Sequence, residues 1–209
     1  MERVLIVAKT RMNSGVCVSG LVLSSNRGIR LVPQTRQNQP TDTEFEVGQI
    51  WDIEYNHREI TEVEPPHTED AIIFSQKYVE KVANLHEILI QRVQIWQGGP
   101  EHLFDGKITL DGEKAYIEKQ GALPNYSTGY WIPSISLTLK NVNRKPYYCA
   151  EYKSTKTNND GTKVLSIPFV GLVPPVSQIS PGTLVRVSLA RWLPPYNNRC
   201  YLQVSGWYF

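Results

Sequence analysis

The stretch that most constrains the fold is the opening one, residues 3–32, RVLIVAKTRMNSGVCVSGLVLSSNRGIRLV. It holds three short apolar runs, at residues 4–8, 16–22 and 29–32. Asn13-Ser14-Gly15 separates the first two, and Ser24-Ser25-Asn26-Arg27-Gly28 the last two. Short runs joined by tight, turn-rich loops predict a three-strand antiparallel meander. In the first run Val4, Ile6 and Ala8 alternate with Leu5 and Val7, so both faces are apolar and both must be covered. The strand then runs out into Lys9-Thr10-Arg11, two cations flanking a hydroxyl.

The rest of the chain is read mostly as further strands. Residues 33–48 are polar, contain Pro33 and Pro40, and read as a loop. Trp51, Ile53 and Tyr55 alternate with Ile50, Asp52 and Glu54 in a strand with one apolar face. Pro65-Pro66 excludes helix and central strand, and residues 71–74 read as the next strand. One helix is predicted, over 78–96: Tyr78, Val82, Leu85, Leu89, Val93 and Trp96 make one stripe, Ser75 can cap it and Gly98-Gly99-Pro100 stops it. From Trp131 the pattern is β again. An aromatic strand covers 147–152, Asn158-Asn159-Asp160-Gly161 is a hairpin turn, strands cover 163–172 and 184–189, and Pro194-Pro195-Tyr196-Asn197-Asn198 turns the chain into a last strand.

This is an all-β fold with one prominent helix. Two small antiparallel barrels are its natural solution, because closure removes exposed strand edges. The expected division is a first barrel at 1–75, a helical connector at 76–120 and a second barrel at 121–209, with the N-terminal strands as candidates to complete the second.

The net charge of +2 hides three blocks. Residues 1–36 carry six basic and one acidic side chain (+5), residues 37–120 seven and seventeen (−10), and residues 121–209 nine and two (+7). Two readings follow: the basic ends converge on one polyanion-binding face, or the acidic middle neutralises them within the molecule.

Several function classes are excluded. No Walker loop follows Gly98-Gly99, and no GxSxG nucleophile elbow is present. Cys17, Cys149 and Cys200 are widely spaced and read as reduced thiols in strands rather than as a zinc set. No run of about 18 apolar residues marks a membrane span, and no basic stretch followed by an apolar run and cleavage site marks a secretory signal. The expected location is therefore cytoplasmic, with no membrane partner. No catalytic residue, metal or cofactor is assigned. Pro65-Pro66-His67-Thr68-Glu69-Asp70 is the one polar cluster: His67, Glu69 and Asp70 serve either as acid–base or cation-binding groups, or structurally, with Glu69 or Asp70 paired to an arginine of the opening meander.

VLIVAKTRMNSGVCVSGL, GIRLVP, VGQIWDIE and PPHTEDAII, with the closing SLARWLPPYNNRCYLQVSGWY, resemble the bacterial dual OB-containing domain family from one end of the chain to the other. The resemblance implies two OB-like barrels packed as one unit. It also implies genes near conflict and defence systems and a role in recognising nucleic acid or a ligand, and it brings no catalytic residues.

OB barrels hold single strands with a basic groove and aromatic platforms. The candidates are Lys9, Arg11, Arg27 and Arg30 in the opening meander, Arg186, Arg191 and Arg199 near the end, and Trp192 and Tyr196 as stacking rings. The leading expectation is a module for single-stranded DNA or RNA in a bacterial defence or nucleic-acid-processing system. The alternatives are an adaptor that docks a protein partner encoded nearby, or a small-ligand sensor or enzyme built on His67, Glu69 and Asp70.

Overall fold

The computed structural model describes residues 1–58, 62, 64–153, 162–192 and 198–209. The chain divides into two compact units, Met1–Val93 and Gln94–Phe209, each with its own apolar core.

The first unit opens with the expected meander: β1 (Glu2–Arg11), β2 (Val16–Val22) and β3 (Gly28–Val32). Two longer strands follow, β4 (Gln49–His57) and β5 (Asp70–Lys81). The five close into a barrel in the order β1-β2-β3-β5-β4. β3 and β5 run parallel, and β4 is antiparallel to both β5 and β1. Val4, Ile6, Val18, Val22, Ile29, Leu31, Ile53 and Ala71 fill the interior. At Gly20 the strands lie so close that a Cβ would sit 2.3 Å from Val4 Cγ1, so only glycine fits.

A barrel also needs its end closed, and the loop at 33–48 does this. It sends in Phe45, fully buried and edge-on to Trp51 at 4.9 Å between ring centroids. Gln39 ties the loop to the wall, bridging Val16 through the backbone and donating from Nε2 to the Leu31 carbonyl at 3.2 Å.

The helix differs from the expected 78–96. It is α1 (Leu85–Arg92), capped by Asn84, whose side chain accepts from the Glu87 amide at 3.5 Å, and not by Ser75. Tyr78 belongs to β5, its ring packed 5.6 Å from that of Trp51. The physical reason is pairing: residues 76–81 complete the ladder with the first half of β4, which a longer helix would leave open. Trp96 lies in β6 (Ile95–Gly98). Residues 76–120 thus contain the end of β5, α1, β6, a 3-10 segment (Pro100–Gly106) and the hairpin of β7 (Thr109–Asp111) and β8 (Lys114–Glu118). The division between the units falls inside this stretch.

The second unit continues with β9 (Thr128–Pro133), β10 (Leu137–Val142), β11 (Lys145–Lys153), β12 (Thr162–Pro168), β13 (Gln178–Ile179), β14 (Leu184–Leu189) and β15 (Arg199–Tyr208). It forms a six-stranded sheet, β6-β9-β14-β15-β8-β7, and a four-stranded one, β12-β11-β10-β13. Their inner faces share one core, with Trp131, Tyr148, Leu165, Ile167, Val187 and Leu202 among its members.

Two junctions between the sheets set the strand circuit. β9 leads directly into β10, and just beyond β12 Phe169 bridges Val204 of β15 in parallel. If β9–β10 is taken as one bent strand, the circuit runs first, second (β11), third (β12), fifth (β15), fourth (β14) and back to the first. The first barrel has the same circular order, including a parallel contact between its third and fifth strands. The fold is therefore all-β with an OB-like strand order twice over, β6, β7 and β8 being additions outside the second circuit. The turn expected at 158–161 lies outside the described residues. The three cysteines are free thiols in β2, β11 and β15. Among the described residues no helix is long and apolar enough to cross a membrane.

Candidate nucleic-acid interface

In a five-stranded Greek-key barrel of this order, the ligand face comprises the second and third strands and the 1–2 and 4–5 connections. Of the three Pro-Pro pairs in the sequence, Pro65-Pro66 lies in the β4–β5 connection, and Pro194-Pro195, outside the described residues, falls in the sequence between β14 and β15.

In the second unit, alternation along β15 and β8 sorts the side chains. Cys200, Leu202 and Ile117 point into the core, while Arg199 stands opposite Glu118 and Tyr201 opposite Tyr116 on the other face. The Arg199 guanidinium lies 4.1 Å from the centre of the Tyr116 ring and pairs with Glu118 at 3.4 Å and Asp111 at 3.8 Å. Desolvation works against its charge, but a hydrogen bond to Tyr201 and the surrounding oxygens outweigh it and hold the group above its ordinary pKa. Lys114 Nζ lies 6.0 Å over Tyr201, whose ring meets Tyr116 edge-on at 5.6 Å.

The strip continues into the β14–β15 connection. The Lys119 amide donates to the Asn198 carbonyl at 2.8 Å, and Lys119 Nζ lies 5.7 Å over the ring of Trp192. Trp192 is half-buried against the core, and its neighbour Arg191 is exposed. Four cations and three rings are thus contributed by β8 with Lys119 just after it, β15 and the residues that follow β14. Tyr116 is 2% exposed beneath Arg199, so Trp192 and Tyr201 are the rings that offer bases a stacking face beside the cations.

In the first unit, charged side chains form a chain around the β4–β5 connection. Arg30, on β3, pairs with Asp70, its partner across the parallel ladder, through two bonds of 2.6 and 2.7 Å. Asp70 is 2% exposed and also accepts from Arg58 Nη1 at 3.3 Å. Arg58 Nε reaches Glu62 at 3.3 Å, and Glu62 accepts from Arg36 Nη1 at 2.9 Å. Burial opposes the charge on Arg30, but the hydrogen bond to Asp70 and the nearby charges of Cys17, Asp70 and Glu69 together outweigh it and hold the guanidinium above its usual value. Arg36, by its hydrogen bond first, holds the Glu62 carboxyl below the usual range. His67 and Glu69 are buried beside this chain in sequence, at 5% and 8% exposure.

A family model described as a dual OB-containing domain matches residues 2–207. The chain belongs to the dual OB-containing domain family. No curated protein and no solved structure was found to match it.

The expected site residues of this dual OB chain separate by environment. Arg199, Arg191 and Trp192 fall on the strip just described. Arg11 and Arg27 are exposed. Lys9 is largely covered and pairs with Glu46 at 2.7 Å. Asp70 of the polar cluster is bound to an arginine of the opening meander, as one of the two readings held, and Arg30 is that arginine. Tyr196 lies outside the described residues. Arg186 requires a correction: it is 3% exposed, donates to Ser205 Oγ at 2.9 Å and sits beside Tyr130 and Tyr208, so no phosphate reaches it. Among the described residues no three histidines, cysteines or carboxylates gather as a metal site.

Lys114, Tyr116, Lys119 and Tyr201 escaped the sequence reading. The signal was present in Lys114-Ala115-Tyr116-Ile117-Glu118, where alternation places a cation, a ring and an acid on one strand face.

Proposed function

We propose that this protein is a single-strand nucleic-acid-binding module. Its second unit would grip the strand with Lys114, Lys119, Arg191 and Arg199 on phosphates and Trp192 beneath a base. The observation that carries the reading is the gathering of Lys119, Arg199, Trp192 and Tyr201 beside the β14–β15 connection, the counterpart of the 4–5 connection that OB barrels use for ligands. Arg199 is suited to the task because it lies flat on Tyr116 and is braced by Glu118 and Asp111, so little side-chain freedom remains to be lost on binding. The family resemblance supports a setting in bacterial defence or nucleic-acid processing.

Fluorescence anisotropy with short labelled DNA and RNA at low salt tests this. Trp192→Ala is expected to weaken binding about tenfold, the effect of losing one stacked base. Arg199→Gln is expected to weaken it and to flatten its salt dependence. If the wild-type chain binds no oligonucleotide at low salt, the reading fails and a protein partner takes its place.

A further inference from the structure

Arg30, Arg36 and Arg58 of the first unit are joined through two carboxylates, Asp70 and Glu62, with Glu69 adding its charge near Arg30. The two carboxylates are not equivalent. Asp70 is sealed, 2% exposed on its side chain, and bonded in a fork by Arg30. It fixes Arg58, whose own amide also donates to the Asp70 carbonyl at 3.0 Å. Glu62 is outside, 34% exposed, at the open end of the chain. There Arg36, from the β3–β4 connection, and Arg58, from the end of β4, converge on its two oxygens from different elements. Two guanidiniums aimed at one pair of oxygens, one of them locked from behind, form a ready-made oxyanion clamp.

We propose that Arg36 and Arg58 form a phosphate-binding clamp in which Glu62 is an internal stand-in for the ligand. A phosphate group takes the two guanidiniums when the Glu62 side chain rotates away, and Glu62 returns when the phosphate leaves. Phosphate suits the place better than a second carboxylate, because it carries more charge and more acceptor oxygens for the same two forks. The clamp lies on the first unit's β4–β5 connection and does not depend on the strip in the second unit. Asp70 and Arg30 are positioning residues here: they hold Arg58 and do not touch the ligand. The shared chemistry is a phosphate group, free or at the end of a strand.

Isothermal titration of the full chain with pyrophosphate, and with 5′-phosphorylated and unphosphorylated oligonucleotides, tests the clamp. Glu62→Gln removes the competitor and is expected to tighten pyrophosphate binding about fivefold, the strength of an ordinary exposed ion pair. Arg58→Gln, alone or added to Glu62→Gln, is expected to abolish binding, and Arg36→Gln to do the same. A gain that appears for the phosphorylated strand but not for the unphosphorylated one assigns the clamp to a strand terminus. A gain for pyrophosphate alone assigns it to a free phosphate ligand. Trp192→Ala must leave pyrophosphate binding intact, which separates this clamp from the single-strand strip. No tightening in Glu62→Gln, or pyrophosphate binding that survives Arg58→Gln, would make the contact a surface ion pair only and overturn the proposal.

Discussion

Asp70 shows how one side chain decides what its neighbours can do. Removing its charge leaves Arg30 and Arg58 facing each other across an almost closed site, and breaking one side of such a pair costs about 3 kcal/mol or more. Asp70→Asn is therefore expected to lower the unfolding free energy of the first unit by that order, read as a lower urea midpoint, with Arg30→Met in the same chain restoring part of the loss. Tyr148 gives a second expectation. Its hydroxyl donates to the Val176 carbonyl at 2.9 Å, and burial pushes its pKa up to about 12. The folded chain keeps this phenol neutral where the unfolded chain ionises it, so its contribution is intact below pH 10 and is lost between pH 10 and about 12. An absorbance titration of tyrosinate beside urea melts across that window measures it. In sequence only a pairing of Glu69 or Asp70 with some arginine of the opening meander was legible; the parallel β3–β5 register, which puts Arg30 opposite Asp70, decides which. The burial of Arg186 was not legible. In Val185-Arg186-Val187 alternation says only that the arginine faces away from the core, and an outward side chain reads as solvated unless its surroundings are known.

At the scale of elements, strands announced themselves and the pieces between them did not. Each opening strand alternates or is doubly apolar between turn residues, and these signals are local. The stripe from Tyr78 to Trp96 failed because spacings of three and four also arise by chance when a strand, a two-turn helix and another strand follow in succession. What settled residues 78–81 was the free half of β4, a partner nearly thirty residues away in sequence that no local pattern reports. The loop at 33–48 hides more. It reads as polar, yet its one large ring, Phe45, is the stopper of the barrel and is fully buried. Phe45→Ala is expected to destabilise the first unit by about 3–5 kcal/mol, the usual loss for an aromatic cut from a core. Hydrogen exchange should show β1, β4 and β5 opening while β14 and β15 keep their protection, because the second unit's core contains none of the same residues. Equal loss of protection in both units would mean that the cores are not separate cooperative units.

At the scale of the whole molecule, the three charge blocks pair off within the folded units. Arg3, Lys9, Arg30 and Arg36 of the first block meet Asp52, Glu46, Asp70 and Glu62, and Arg199 of the last meets Asp111 and Glu118. Every one of those acids comes from residues 37–120. The acidic middle thus acts as an internal counter-ion supply, and the blocks in sequence overstate the positive field left for a polyanion. This limits how many phosphates the protein can neutralise and so fixes a measurable quantity. A single strand held by Lys114, Lys119, Arg191 and Arg199, the last already paired with Asp111 and Glu118, displaces counterions from about three to four phosphates, which gives a slope of about −2 to −3 for log K against log salt concentration. Anisotropy titrations over a series of salt concentrations measure that slope. A slope near −6 would require phosphate contacts from cations beyond this strip. A slope near zero would remove phosphate contact from the recognition altogether. In Glu62→Gln the salt dependence of pyrophosphate binding reports the first unit's clamp by itself: Arg36 and Arg58 then meet the phosphate without the carboxylate that had been neutralising them, so binding should be tightest at low salt and weaken as salt screens the pair.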